Sequence, residues 1–266
     1  MPSEIRAGYR TYWDEEGEGA RWALLIHPSL ASSRIWTGVR DRVTLRTIAF
    51  DQPGHGQSAP WDRKGDFHDQ ATAVAASFLT ADPVDLVGHS FGATIALRLA
   101  LEHPKVVRSL TLIEPVLFIA AKRAGDPEFD RHMERMEGFD AALALGDYAR
   151  AARTFDAVWG SGAPWETLPE AVRAKLVSRI PLIAAGEPVL LHDTRGLLDA
   201  GRLERLSCPV HFLRGDASPP IIAAIHAALR ARLAQSDEAV IPGAAHMLTA
   251  THPQETAAKL NAWLGG

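Results

Sequence analysis

Apolar and polar positions follow two rhythms along this chain. Short, nearly unbroken apolar runs occur at 22–27 (WALLIH), 44–50 (TLRTIAF), 83–88 (PVDLVG), 106–114 (VVRSLTLIE), 209–214 (PVHFLR) and 237–243 (DEAVIPG). Runs of this length predict strands buried on both faces. Between most of them lie stretches with helical periodicity, such as FHDQATAVAASFL (67–79) and FGATIALRLALEH (91–103). Strands and helices alternating in this way predict an α/β fold with a mainly parallel sheet covered on both sides. The segment IRAGYRTYW (5–13) alternates more strictly and predicts an antiparallel edge pair.

The strand rhythm stops over 117–205, where only helical patterns occur (EFDRHMERMEGFDAALAL, DYARAARTFDAVW, PEAVRAKLVSRIPLIAA). A helical segment between two sheet strands predicts an inserted lid, with a core domain formed by 1–116 and 206–266. The insertion carries Phe118, Phe129, Phe139, Phe155, Trp159 and Trp165. Some of these must form its own packing core. Others face a pocket beneath it, with Trp159 and Trp165 as candidates.

Composition narrows the partners. Among 266 residues, 28 are basic and 32 acidic, for a net charge of −4, and the two signs are well mixed. No basic stripe points to nucleic acid, and no run of 18 apolar residues points to a membrane span. The first residues carry Glu4 and Arg6 and no apolar leader, so a cytoplasmic protein is expected. The single cysteine, Cys208, excludes an internal disulfide and reads as a small buried hydrophobe. Without a secretion signal, Arg214-Gly215-Asp216 is not expected to act as an adhesion tripeptide. His192 and Asp193 form only an isolated pair, so no metal is expected, nor any cofactor. The oligomeric state, monomer or dimer, stays open.

The chemistry concentrates in VDLVGHSFGATIAL. Gly88-His89-Ser90-Phe91-Gly92 is G-x-S-x-G, preceded by a predicted strand and followed by a predicted helix. A serine on so sharp a turn is crowded, so the residues two before and two after it must be small. The turn lifts the hydroxyl out of the carboxyl edge of the sheet, where open α/β sheets bind ligands. The helix N-terminus beneath favours developing negative charge. Ser90 is thus the candidate nucleophile. Its neighbour His89 points away from it on such a turn and is expected beside the substrate pocket. The backbone N–H of Phe91 is a candidate oxyanion donor.

Three further motifs accompany this one: LLIHPSLASSRIW, FDQPGHGQS and IPGAAHMLTATHP. In this order they resemble the His-Gly loop, the Asp-x-Pro-Gly-x-Gly-x-Ser turn and the histidine loop of the α/β-hydrolases, and the resemblance covers nearly the whole chain. It implies an eight-stranded, mostly parallel sheet with helices on both faces and a helical lid. It also implies His246 as the base that takes the serine's proton. The competing His252 lies in THPQ, which reads as a capping box starting the last helix. The resemblance makes Ser29 the second oxyanion donor. Pro28 stands where the family usually has glycine; it lacks an N–H, but the donor is the next residue. Gly54 and Gly56 of DQPGHGQS read as structural.

Two carboxylates compete to orient the histidine. The family's usual acid position after strand seven is occupied by Ser218, which with Pro219 reads as a helix start. Asp216 lies two residues earlier. Glu114 ends the apolar run SLTLIE, and relatives such as haloalkane dehalogenases carry their acid after strand six. Glu114 is the preferred acid and Asp216 the alternative. The expected activity is a serine hydrolase acting on a small ester or lactone through an acyl-enzyme. Carbon–carbon bond or enol-lactone hydrolysis and cofactor-free perhydrolysis are alternatives on the same residues. A ligand-binding receptor with negligible turnover is the alternative of another class.

Overall fold

A computed structural model describes residues 3–265. Eight strands form one sheet: β1 (Ser3–Arg6), β2 (Tyr9–Glu16), β3 (Trp22–Ile26), β4 (Arg46–Phe50), β5 (Val84–His89), β6 (Val107–Ile113), β7 (Val210–Gly215) and β8 (Ser236–Ile241). Their order is β1-β2-β4-β3-β5-β6-β7-β8. β1 and β2 pair antiparallel at one edge and the rest run parallel. The predicted strands and the antiparallel edge pair are all present, with ends shifted by up to three residues.

Helices α1 (Thr37–Arg40), α2 (Phe67–Ala76) and α3 (Phe91–Glu102) lie among the first six strands. Five more separate β6 from β7: α4 (Phe118–Arg123), α5 (Glu128–Ala144), α6 (Tyr148–Trp159), α7 (Glu170–Arg179) and α8 (Pro181–His192). The chain closes with α9 (Pro220–Arg230), α10 (Leu248–Thr251) and α11 (Pro253–Leu264).

Period-two alternation divides the core between the two faces of the sheet. On β3, Trp22, Leu24 and Ile26 join a large apolar cluster with α2, α3 and α5, whereas Ala23 and Leu25 join a smaller one with Trp36, Val39, Leu260 and Leu264. β5 and β6 divide in the same way, with Leu86 and Leu112 on one side and Val87 and Ile113 on the other. The central strands β3, β5 and β6 are therefore covered on both faces, as their unbroken apolar runs require, whereas the edge strands β1 and β8 are largely exposed or half-buried. Cys208 is buried, and burial pushes its thiol up to about 11. Among the described residues, no helix is long and apolar enough to cross a membrane.

Candidate active site

The turn after β5 has the tight geometry that its glycines forecast. Ser90 adopts φ 57° and ψ −119°, a conformation that non-glycine residues seldom hold. A Cβ on Gly88 would meet the carbonyl oxygen of Gly92 at 2.3 Å, and one on Gly92 would meet that of Ile26 at 2.3 Å. Both contacts are with backbone and cannot be relieved by a side-chain rotation. The absence of both side chains lets α3 start directly behind Ser90 and pack against the end of β3.

Three strand ends bring the candidate residues together. The Ser90 hydroxyl lies 3.0 Å from Nε2 of His246, and Nδ1 of His246 lies 2.6 Å from a Glu114 carboxylate oxygen. With Nδ1–H donating to Glu114, Nε2 is left to accept the serine proton. Glu114 is fully buried, and its other oxygen accepts from the Gly215 N–H at 2.8 Å and from the Ser218 hydroxyl. Burial alone would raise this carboxyl's pKa. The hydrogen bonds from His246, Ser218 and Gly215, together with the His246 charge, outweigh it and hold the group below the usual carboxylate range.

Among the described residues, the Asp216 carboxylate has no bond to His246. Its side chain accepts from the Gly243 N–H at 2.7 Å and braces the loop after β8. Ser218 does not cap α9, which begins at Pro220 with Pro219 before it and no side-chain cap. The hydroxyl instead donates to the Glu114 carboxylate, so Ser218, at the position where the family's acid was expected, supports Glu114. The capping box expected at THPQ is also absent: His252 precedes α11, and the Thr251 hydroxyl bonds to the Met247 carbonyl and the His252 ring.

A cavity of about 90 Å³ opens over Ser90 and His246, and Ser29 and Phe91 also line it. Neither of their backbone N–H groups donates to a backbone or side-chain acceptor among the described residues. The far walls come from the inserted helices, with Phe118, Phe139, Phe155 and Trp159 presenting rings and Met133 and Met136 thioethers. The Trp159 ring packs edge-on to His246 at 4.6 Å.

The sequence of residues 23–259 matches the model of the alpha/beta hydrolase family. The chain belongs to that family. It is 34% identical over 206 residues to a pimeloyl-[acyl-carrier protein] methyl ester esterase of Methylococcus capsulatus, covering 72% of this chain and 74% of the relative. It is 28% identical over 259 residues to the lipase LipV of Mycobacterium tuberculosis, covering 93% and 94%. Its fold superposes on an esterase of Exiguobacterium antarcticum with a TM-score of 0.77 at 17% identity, covering 98% of both chains.

Two residues expected beside the pocket of this alpha/beta hydrolase lie elsewhere. His89 is fully buried below His246: its Nε2–H donates to the His246 carbonyl at 2.8 Å, and its Nδ1 accepts from the Thr249 hydroxyl at 3.0 Å. Burial, with His246 nearby, pushes its pKa down to about 3, so the ring is a neutral strut under the histidine loop. Trp165 sits in a 3-10 turn (Trp165–Thr167) beside α6, half-buried against the apolar core and outside the cavity. The turn that spaces it from Trp159 rotates it off the cavity face.

Several supporting residues had no clear signal in the sequence. Nε2 of His55 accepts from the Leu30 N–H at 3.0 Å and fixes the loop that carries Ser29. His27 bridges the same loop to the next, donating from Nδ1 to the Pro28 carbonyl and accepting at Nε2 from the Gln52 N–H. Burial drives both rings far below the ordinary imidazole range, His27 to about 4, so each stays neutral and can accept. Asp51 accepts from the Ser33 and Gln57 N–H groups, each at 2.7 Å, and a Cβ on Gly56 would collide with its carboxylate. The DQPGHGQS turn is therefore structural, as read.

Proposed function

We propose that this alpha/beta hydrolase cleaves a small carboxylic ester or lactone through an acyl-enzyme on Ser90. The observation that carries the reading is the unbroken series Ser90–His246–Glu114, opening on a mostly apolar cavity with two free backbone N–H groups. Ser90 Oγ attacks the acyl carbon as His246 Nε2 takes its proton. The carbonyl oxygen becomes an oxyanion, held by the N–H groups of Phe91 and Ser29. Glu114 keeps the imidazole in the correct tautomer and stabilises the imidazolium. The tetrahedral species collapses, the C–O bond breaks, and the leaving alkoxide takes the proton from His246. Water then attacks the acyl-enzyme with His246 as base, and the carboxylic acid leaves. Helices α4–α8 serve as a lid that sheds water from the acyl group; the missing side chain of Gly186 lets α8 close down on Phe91, where a Cβ would meet the ring at 2.9 Å.

The test is steady hydrolysis of short p-nitrophenyl esters by the native protein and by Ser90→Ala. The native protein should show continuous turnover, and the variant should retain its fold while losing roughly 10³-fold or more in kcat. A single burst without turnover would instead mark a binding receptor, and equal rates would remove Ser90 from the chemistry.

A further inference from the structure

The cavity over Ser90 is apolar except at one wall. Asp140 on α5 and Glu187 on α8 both line it, and among the described residues neither carboxylate has a hydrogen bond or an ion pair. The placement is built into the helices. His132, Met136, Phe139 and Asp140 fall on one face of α5, and Ile183, Glu187, Leu190 and Leu191 on one face of α8. Asp140 is exposed and Glu187 half-buried, so the pair stands on the solvent side of the cavity while Ser90 lies buried at its floor.

A second group in the same cavity also lacks a partner. His132 is 3% exposed and lines the cavity, and among the described residues its buried Nδ1 has no hydrogen-bond partner. Its ring stacks on Phe118 at 4.7 Å and meets Trp159 edge-on at 5.3 Å. Burial, with the charge of Arg135, pushes its pKa down to about 4, so it brings no positive charge to offset the acids. Burial and the neighbouring Asp140 raise Glu187 to about 7, so it is partly protonated at neutral pH, and a bound cation would draw it to its charged form. The two carboxylates without a partner and the aromatic rings of the same cavity suit a cation, and the open Nδ1 of His132 suits a polar group on the same ligand.

We propose that the cavity selects esters that carry an ammonium group, with Asp140 and Glu187 as specificity-determining residues that attract the cation and repel carboxylate-bearing substrates. The ring faces of Phe118, Phe139 and Trp159 add cation–π attraction, and a low-dielectric wall strengthens the field of the two carboxylates. Like-charge rejection supplies the other half of the discrimination. This inference rests on the esterase reading of the same site.

The two are separated by measuring binding apart from turnover. In the non-hydrolysing Ser90→Ala background, calorimetry would compare butyrylthiocholine, its neutral carbon isostere 3,3-dimethylbutyl thiobutyrate, and the anionic 3-(butyrylthio)propionate. The cation should bind about five- to thirtyfold more tightly than its isostere, and the anion most weakly. Adding Asp140→Asn and Glu187→Gln should reduce the cation's advantage to under about twofold and restore the anion toward the neutral ligand. Equal binding of the isosteres, or an advantage that survives both substitutions, overturns the charge selection. Turnover of the neutral thioester by the native protein reports separately on the esterase reading.

Discussion

Glu114 holds a left-handed backbone, φ 46°, at the end of β6, and this strained turn aims its carboxylate across β7 toward His246. Ser218 and Gly215 fix the oxygen that His246 does not use. Replacing Glu114 by Gln keeps the shape but removes the charge that stabilises the imidazolium, so kcat should fall by about 10³–10⁴. Asp216→Asn should remain within about tenfold, because Asp216 supports only the Gly243 backbone. Reversed effects in steady-state kinetics would return the acid role to Asp216. At this scale the sequence was legible where chemistry and local pattern coincide. Ser90 stands between obligate glycines, and a carboxylate ending an apolar strand is conspicuous. The hydroxyl of Ser218 and the ring of His89 were not legible, because each serves a partner distant in sequence. The His89 ring bonds to His246, 157 positions away, and the Ser218 hydroxyl to Glu114, 104 positions away.

Among the elements, the strands are the most legible, since a strand buried on both faces shows itself as an unbroken apolar run. Helix starts were less so. Ser218 and Thr251 carry the residue types that cap helices, yet each hydroxyl found a stronger partner elsewhere. Glycines give two opposite tests of how closely the helices sit. Gly92→Ala drives a methyl group into the backbone of β3 and should cost enough stability to impair folding. Gly138, inside α5, has nothing beyond its chain neighbours and its own helix backbone within 4 Å of where its Cβ would stand. Gly138→Ala should stabilise the protein by roughly 0.5–1 kcal/mol, raising Tm in a thermal melt. A lowered Tm would mean that α5 packs more tightly there than described.

In the whole molecule, a common sheet edge brings Ser90, Glu114 and His246 together and the inserted helices shape the space above them. The order of motifs along the chain was enough to forecast the sheet, but the same reading put Trp159 and Trp165 together on the pocket. Only Trp159, the last residue of α6, reaches it; Trp165 lies beyond that helix in a short 3-10 turn, and which way such a turn faces depends on packing that no local pattern records. Covalent catalysis through Ser90 at this edge has a direct test. Native protein would be exposed to diethyl p-nitrophenyl phosphate, digested, and its peptides weighed by mass spectrometry. One diethylphosphoryl group per chain should be found, carried on Ser90, with release of p-nitrophenol in equal amount, and Glu114→Gln should slow the labelling without moving it. A phosphoryl group on another residue, or none while ester turnover continues, would rule out catalysis through Ser90.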